Sequence, residues 1–150
     1  MNQTRPATIL VVDDDENNRR LLEAMLAANH TVRAAASGEA ALAAVAAQPP
    51  DLILLDIMMP GIDGFEVTRR LKADPRTRSI PIILVTSLED RESRLKGLEA
   101  GAEEFITKPV DHAEVLTRVR NLLKLKEFHD FLADHNRILE EQVRGRTAAL

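Results

Sequence analysis

Asp13-Asp14-Asp15, Asp56, Thr86-Ser87 and Lys108 are the side chains in this sequence best suited to chemistry. Carboxylates brought close together cannot all stay ionised and bare. Two unit charges ~4 Å apart repel by about 4 kcal/mol at an effective dielectric near 20. Either a pKa rises or a cation binds. The donors on offer are all oxygen, from carboxylates and from backbone carbonyls after Asp56. Such a set suits Mg²⁺, which keeps several waters and shares phosphate oxygens. One of the carboxylates is then placed to act as a nucleophile toward phosphorus, giving an aspartyl phosphate. Lys108 supplies a point charge for phosphoryl oxygens, and the Thr86 hydroxyl supplies a donor.

These residues are far apart in sequence, so the chemistry needs elements that gather them. Ala7-Thr8-Ile9-Leu10-Val11-Val12 is a continuous apolar run that stops at Asp13. Residues Asn17 to Ala28 carry Leu21, Leu22, Met25 and Leu26 at helical spacing. Thr31 to Ala36 reads as a weak strand, and Gly38 to Ala47 as an Ala-rich helix ended by Pro49-Pro50. Leu52-Ile53-Leu54-Leu55 is a second buried strand, with Asp56 at its end. A turn over Met59-Pro60-Gly61-Ile62-Asp63-Gly64 leads into a helix from Phe65 to Ala73. Ile80 to Val85 is the next strand, ending at Thr86-Ser87. A helix from about Asp90 to Ala100 stops at Gly101, placed as a C′ glycine. Glu104 to Thr107 is a short strand followed by Lys108-Pro109, and a last helix begins near Asp111.

Runs that are apolar throughout, rather than alternating, belong to parallel strands covered by helices on both faces. The β-α repetition implies right-handed crossovers and a doubly wound α/β sheet. No Gly-x-Gly-x-x-Gly follows the first strand, which argues against a dinucleotide site. In such sheets ligands lie beyond the carboxyl ends of the strands. Asp13, Asp14, Asp56, Thr86 and Lys108 all follow strand ends, so this architecture predicts one shared crevice. Each piece alone has a plainer use: acids ahead of a helix stabilise its dipole, a Thr ends a strand, Lys-Pro is a loop dipeptide. Their conjunction carries the specificity.

Composition narrows the alternatives. Aromatics are 3% of the chain, with no Trp or Tyr, so no stacking surface for single-stranded nucleic acid is available. A net charge of −4 argues against nonspecific DNA or anionic-membrane binding. The absence of Cys excludes disulfides and thiolate metal sites and suits a reducing compartment. No apolar run approaches the ~18 residues of a membrane span. The reading is a soluble cytoplasmic protein with no direct nucleic-acid or membrane contact.

Ile9 to Asp14, Leu54 to Gly64, Ile82 to Ser87 and Gly101 to Pro109 together resemble the receiver domains of two-component response regulators, the chemotaxis regulator being the simplest relative. The resemblance covers residues 7 to about 125. It implies a flavodoxin-like five-stranded parallel sheet in the order 2-1-3-4-5. It implies that Asp56 is the phosphoacceptor, charged by a sensor histidine kinase or phosphotransfer protein. It implies Mg²⁺ held by Asp14 and Asp56, by the Met58 carbonyl, and by Asp13 directly or through water. Thr86 would move to the phosphoryl group, Lys108 would pair with it, and Phe105 would turn inward at the aromatic switch position. The Lys108-Pro109 bond is expected to be cis. Met58 and Leu88, both apolar, flank the expected path of attacking water and predict slow hydrolysis. The output would leave through the surface formed by residues 90–110.

A magnesium-dependent phosphohydrolase on a related fold is the competing enzyme reading. Such enzymes place a second acid two residues after the nucleophile, whereas Ile57 and Met58 follow Asp56, so the regulator is favoured over an enzyme. A scaffold with an inactive receiver is disfavoured because every phosphorylation residue is present.

From Asp111 a helical pattern continues to Gly145. Leu122, Leu125, Leu132, Leu139, Val143 and Leu150 fall on a heptad a/d frame, with His129 and Asn136 at a positions and Arg146 at a d position. Phe128, Phe131 and Ile138 lie off this seam. The sequence therefore divides into a receiver, 1–125, and a helical extension, 126–150, expected to form a parallel two-stranded coiled coil and hence a homodimer. The alternative is an amphipathic helix folded back on its own domain. His129 and His135, without further His or Cys nearby, do not make a metal site. Residues Arg118 to Thr147 resemble linkers that precede HD-GYP cyclic-di-GMP phosphodiesterase domains, and similar helices precede diguanylate cyclases. A longer regulator with a separate output domain is expected.

Overall fold

A computed structural model of the chain describes residues 6–87 and 90–149, with side chains through residue 135. Five strands and five helices alternate along it. They are β1 (Thr8–Val12), α1 (Glu16–Leu26), β2 (Thr31–Ala35), α2 (Gly38–Ala47), β3 (Leu52–Asp56), α3 (Gly64–Ala73), β4 (Ile82–Thr86), α4 (Arg91–Ala100), β5 (Glu104–Thr107) and α5 (His112–Ala149). All strand pairs are parallel, in the order β2-β1-β3-β4-β5. The sequence-based fold, order included, is the one observed.

Alternation within each strand feeds two cores. Leu10, Val12, Ile53, Leu55, Ile82 and Leu84 point to one face, where they meet Val45, Val67 and Leu71. Ile9, Val11, Leu52, Leu54, Ile83 and Val85 point to the other, against Leu22, Leu26, Val115 and Val119. With water excluded from both faces, β3 and β4 are buried along their whole length, which is why their sequences do not alternate.

Element ends depart from the sequence-based bounds by a residue or two, each for a local reason. The Asp15 side chain accepts hydrogen bonds from the Asn17 and Asn18 amides, so α1 begins at Glu16, one residue early. Asp63 caps α3 by accepting from the Glu66 amide, and Asp90 caps α4 by accepting from the Ser93 amide. β4 begins at Ile82 rather than Ile80, because Pro81 cannot donate to a ladder and only its carbonyl pairs, accepting from the Ile53 amide. Gly101 closes α4 at φ 109°, the left-handed conformation expected of a C-terminal glycine.

α5 runs from the sheet domain into the tail as one helix, and its first turns pack in the core through Val115, Val119 and Leu122. Beyond them Leu125, Phe128, Phe131 and Leu132 are exposed, so the extension does not fold back over them. The first a position of the heptad frame, Leu122, is spent on the domain's own core. Of the tail positions, Asn136, Ile138, Leu139, Val143, Arg146 and Leu150 lie outside the described side chains, as does Leu88. Among the described residues no helix is long and apolar enough to cross a membrane.

Candidate functional site

The carboxyl edge of the sheet collects the predicted residues. β1 delivers Asp13 and Asp14, and the neighbouring β3 delivers Asp56; one carboxylate oxygen of each lies within 4.8 Å of the others. Asp13 and Asp56 are buried, whereas Asp14 is exposed at the mouth. The Asp13-Asp14-Asp15 run is thus divided between two tasks. Asp13 and Asp14 join the cluster, and Asp15 caps α1 while its amide donates to Asp13 Oδ1 at 2.9 Å.

Lys108 reaches in from the end of β5. Its Nζ lies 3.1 Å from Asp13 Oδ2 and 3.6 Å from Asp56 Oδ1, bridging the two buried acids. Its amide donates to the carbonyl of Thr86 at 2.7 Å, tying the ends of β4 and β5 together beside the cluster. Thr86 is fully buried at the end of β4, one residue past Val85, which is level with Asp56. The Lys108–Pro109 bond is cis, as expected.

Burial raises the Asp56 carboxyl from its ordinary value near 3.8 to about 6. Lys108 opposes that rise, the charge of Asp13 adds to it, the Met58 amide opposes it by donating a hydrogen bond, and Asp14 adds to it. With Lys108 as its counter-charge but no metal ion, the pocket therefore contains more negative charge than it can hold comfortably near neutral pH.

The donor set fits Mg²⁺. An octahedral ion with oxygens at ~2.0–2.1 Å needs neighbouring ligands about 3 Å apart and opposite ones about 4.2 Å apart, so a 4.8 Å spread closes with small side-chain movements. All three donors are hard oxygens, and exposed Asp14 leaves room for retained waters.

The loop after β3 is shaped by its glycines. A Cβ on Gly64 would sit 2.5 Å from the Asp56 carbonyl oxygen and 2.8 Å from the Ile57 Cα, so α3 can start this close to β3 only without a side chain. The Gly64 amide donates to the Ile57 carbonyl at 2.9 Å. Gly61 turns at φ 80°. Met58 projects from this loop with its side chain 61% exposed.

Phe105 is two strands from Asp56, paired with Leu84 on β4. Its ring is already buried in this structure, near Gly97 and with the Arg94 guanidinium 5.4 Å from its centroid.

The whole constellation lies on a recognised sequence pattern. Residues 9–120 match the response regulator receiver domain family. The chain belongs to that family. Receiver domains are regulatory phosphoacceptor switches of two-component systems and bind Mg²⁺ at an acidic pocket, here the cluster of Asp13, Asp14 and Asp56. The receiver is 56% identical over 77 residues to response regulator PleD of Caulobacter vibrioides, a match covering 51% of this chain and 17% of PleD. It is 42% identical over 92 residues to the DNA-binding transcriptional regulator RpaA of Synechocystis, covering 61% of this chain and 38% of RpaA. The matched stretches thus span well under half the length of these relatives. Among solved structures, the BeF₃-activated DrrB receiver domain superposes with a TM-score of 0.73 at 34% identity, covering 79% of this chain and 98% of that one.

Sequence reasoning missed three supports of this receiver. Arg19 Nη1 donates to the Asp13 carbonyl at 2.8 Å, fixing the acidic turn from α1. Glu39 Oε1 accepts from the Ile62 amide at 3.2 Å, bracing the loop after β3 from α2. Lys72 Nζ donates to the carbonyls of Arg78 and Ile80 and to Glu103 at 2.8–3.0 Å, locking the start of β4 to the α4–β5 turn. All three are contacts between elements, and no local spacing announces them.

Proposed function

We propose that Asp56 takes a phosphoryl group from a phosphohistidine on a sensor histidine kinase or phosphotransfer protein. Mg²⁺ would be held by Asp13, Asp14, Asp56 and the Met58 carbonyl. An Asp56 carboxylate oxygen attacks phosphorus, the P–N bond of the donor breaks, and the product is an acyl phosphate. Bound Mg²⁺ supplies positive charge against the phosphoryl oxygens. Lys108, bridging Asp13 and Asp56 at 3.1 and 3.6 Å, is the observation that carries this reading. The same amine that bridges two acids in the resting site is within reach of a phosphate built on one of them.

Phosphorylation adds about −1.5 to −2 charge and three strong acceptor oxygens. Lys108 turns to those oxygens, and the Thr86 hydroxyl donates to another. Because the Lys108 amide is bonded to the Thr86 carbonyl, both shifts pull on the ends of β4 and β5 together. α4 and Phe105 follow, and α5 carries the change out of the receiver. The exposed Leu125, Phe128, Phe131 and Leu132 support a homodimer through the extension, with 1–125 as receiver and 126–150 as linker to an output unit. The Arg118–Thr147 resemblance makes a cyclic-di-GMP phosphodiesterase or cyclase the output to seek.

Incubation with Mg²⁺ and acetyl phosphate, followed by intact-mass measurement, tests the chemistry. One phosphoryl group is expected on the native chain, and none with a chelator or in Asp56→Ala. Labelling that survives in Asp56→Ala refutes the assignment. Light scattering on chains ending at Lys124 and Leu150 tests the dimer; a monomer's mass for the longer chain refutes it.

A further inference from the structure

The thioether of Met58 takes no part in the phosphoryl transfer, and the family resemblance sets this side chain beside the path of attacking water. Met58 lies two residues past Asp56, and its amide donates to the Asp56 carboxylate, so its side chain leaves the backbone next to the phosphoacceptor. The adjacent Met59 is 8% exposed and packed in the core, Met25 is half-buried, and Met58 is 61% exposed. The chain has no Cys to intercept an oxidant. With most of its surface in water, Met58 is open to solvent-borne oxidants. Oxidation of methionine follows access to the sulfur and converts a flexible apolar group into a polar one.

We propose that Met58 is a redox modification site at which a peroxide-class oxidant shortens the lifetime of the phosphorylated state. The step is a two-electron oxidation. The thioether sulfur takes one oxygen from hydrogen peroxide, the O–O bond breaks, and water leaves, so sulfur is oxidised to sulfoxide and peroxide is reduced. The new S=O is a strong acceptor beside the acyl phosphate, where the thioether offered almost nothing. It orients a water molecule for attack on phosphorus, and methionine sulfoxide reductases reverse the change. This inference rests on Asp56 being the phosphoacceptor.

The test uses the full chain, treated with hydrogen peroxide, mapped by peptide mass, then phosphorylated with acetyl phosphate and Mg²⁺ and followed by intact mass as the label decays. Met58 sulfoxide should form ahead of sulfoxide at Met25 and Met59. Decay should quicken roughly two- to tenfold, the effect of one hydrogen bond to the attacking water. Reductase treatment should reverse it. In Met58→Leu, decay before and after peroxide should be equal, while Met58→Gln should decay fast without peroxide. Full conversion to Met58 sulfoxide with unchanged decay overturns the proposal, as does equal acceleration in Met58→Leu or earlier oxidation of Met25 or Met59. Failure to label Asp56 at all instead brings down the phosphoacceptor assignment, and this proposal with it.

Discussion

Asp56→Asn should stabilise the metal-free protein. The Asp56 carboxyl is raised from near 3.8 to about 6, chiefly by burial, and that value already includes the attraction of Lys108. For an acid the sign is the reverse of the usual salt-bridge case. The unfolded chain ionises Asp56 near pH 4, whereas the folded chain resists until about pH 6, so stability falls as pH rises between those values and stays low above them. A shift of about two units corresponds to roughly 3 kcal/mol at neutral pH, an upper limit because solvent at the mouth softens the penalty. Asn keeps the shape and removes the charge, and Lys108 retains Asp13 at 3.1 Å, so the amine is not orphaned. Thermal unfolding at pH 7.5 in a chelator should rise by several degrees, at ~2–4 °C per kcal/mol for a chain of this size. At pH 4 the two proteins should converge. Excess Mg²⁺ should then stabilise the native chain and leave Asp56→Asn nearly unmoved. An Asp56→Asn chain less stable than native at pH 7.5 in chelator would show that the carboxylate is a net structural contributor, refuting the argument from crowded charge.

Gly64→Ala, whose Cβ would lie 2.5 Å from the Asp56 carbonyl oxygen, should cost more than about 2 kcal/mol in urea unfolding and weaken Mg²⁺ binding in calorimetry. Gly61→Ala, where φ is 80° but the near atoms belong to a movable Glu39 carboxylate, should cost only about 1 kcal/mol by the same assay. Lys108→Ala should tighten Mg²⁺ binding by removing a competing cation, while the yield of phosphorylated protein from acetyl phosphate falls at least tenfold, the value of about one charge-assisted hydrogen bond. Lys72→Met preserves the apolar stem but strands three acceptors, and should lower stability by about 2 kcal/mol in urea without altering Mg²⁺ affinity.

Much of the fold was legible because β1, β3 and β4 declare themselves: continuous Val, Ile and Leu runs of strand length admit few other environments. The strand-end rule then located Asp13, Asp14, Asp56 and Lys108 without any structure. What the spacing could not supply was partition and support. Nothing in Asp13-Asp14-Asp15 says that the third acid caps a helix while the first is buried. That division depends on where the chain turns away from the sheet. Arg19, Glu39 and Lys72 act across element boundaries, through distances set by packing rather than by sequence. The tail shows the opposite case: a heptad frame was readable, but its first a position, Leu122, belongs to the receiver core, so the free seam starts one turn later than the pattern implies.

The way α4 is attached explains why it, rather than α3, suits a relay. α3 buries Phe65, Val67, Thr68 and Leu71, and each large apolar side chain among them is worth roughly 1.5–3 kcal/mol. α4 buries only Gly97, while Leu95 and Leu98 face outward. Two cations take the place of a core: Arg94 over Phe105 at 5.4 Å and Lys96 over Phe65 at 4.7 Å, each contributing about 0.5–1 kcal/mol where water can compete. Gly97 lets the helix lie against Leu84 and Phe105, where a Cβ would come within 2.7 Å of Leu84 Cδ1. The two ends of α4 are held unequally. The C-terminal end is closed by Gly101 against the Lys72 stem and by Glu103 in the Lys72 lock. The N-terminal end has the Asp90 cap, a few residues after Thr86. In the proposed relay, a pull on Thr86 would reach α4 from the side of its Asp90 cap, with the Gly101 end as the pivot and Phe105 beneath Arg94 in the path of the swing.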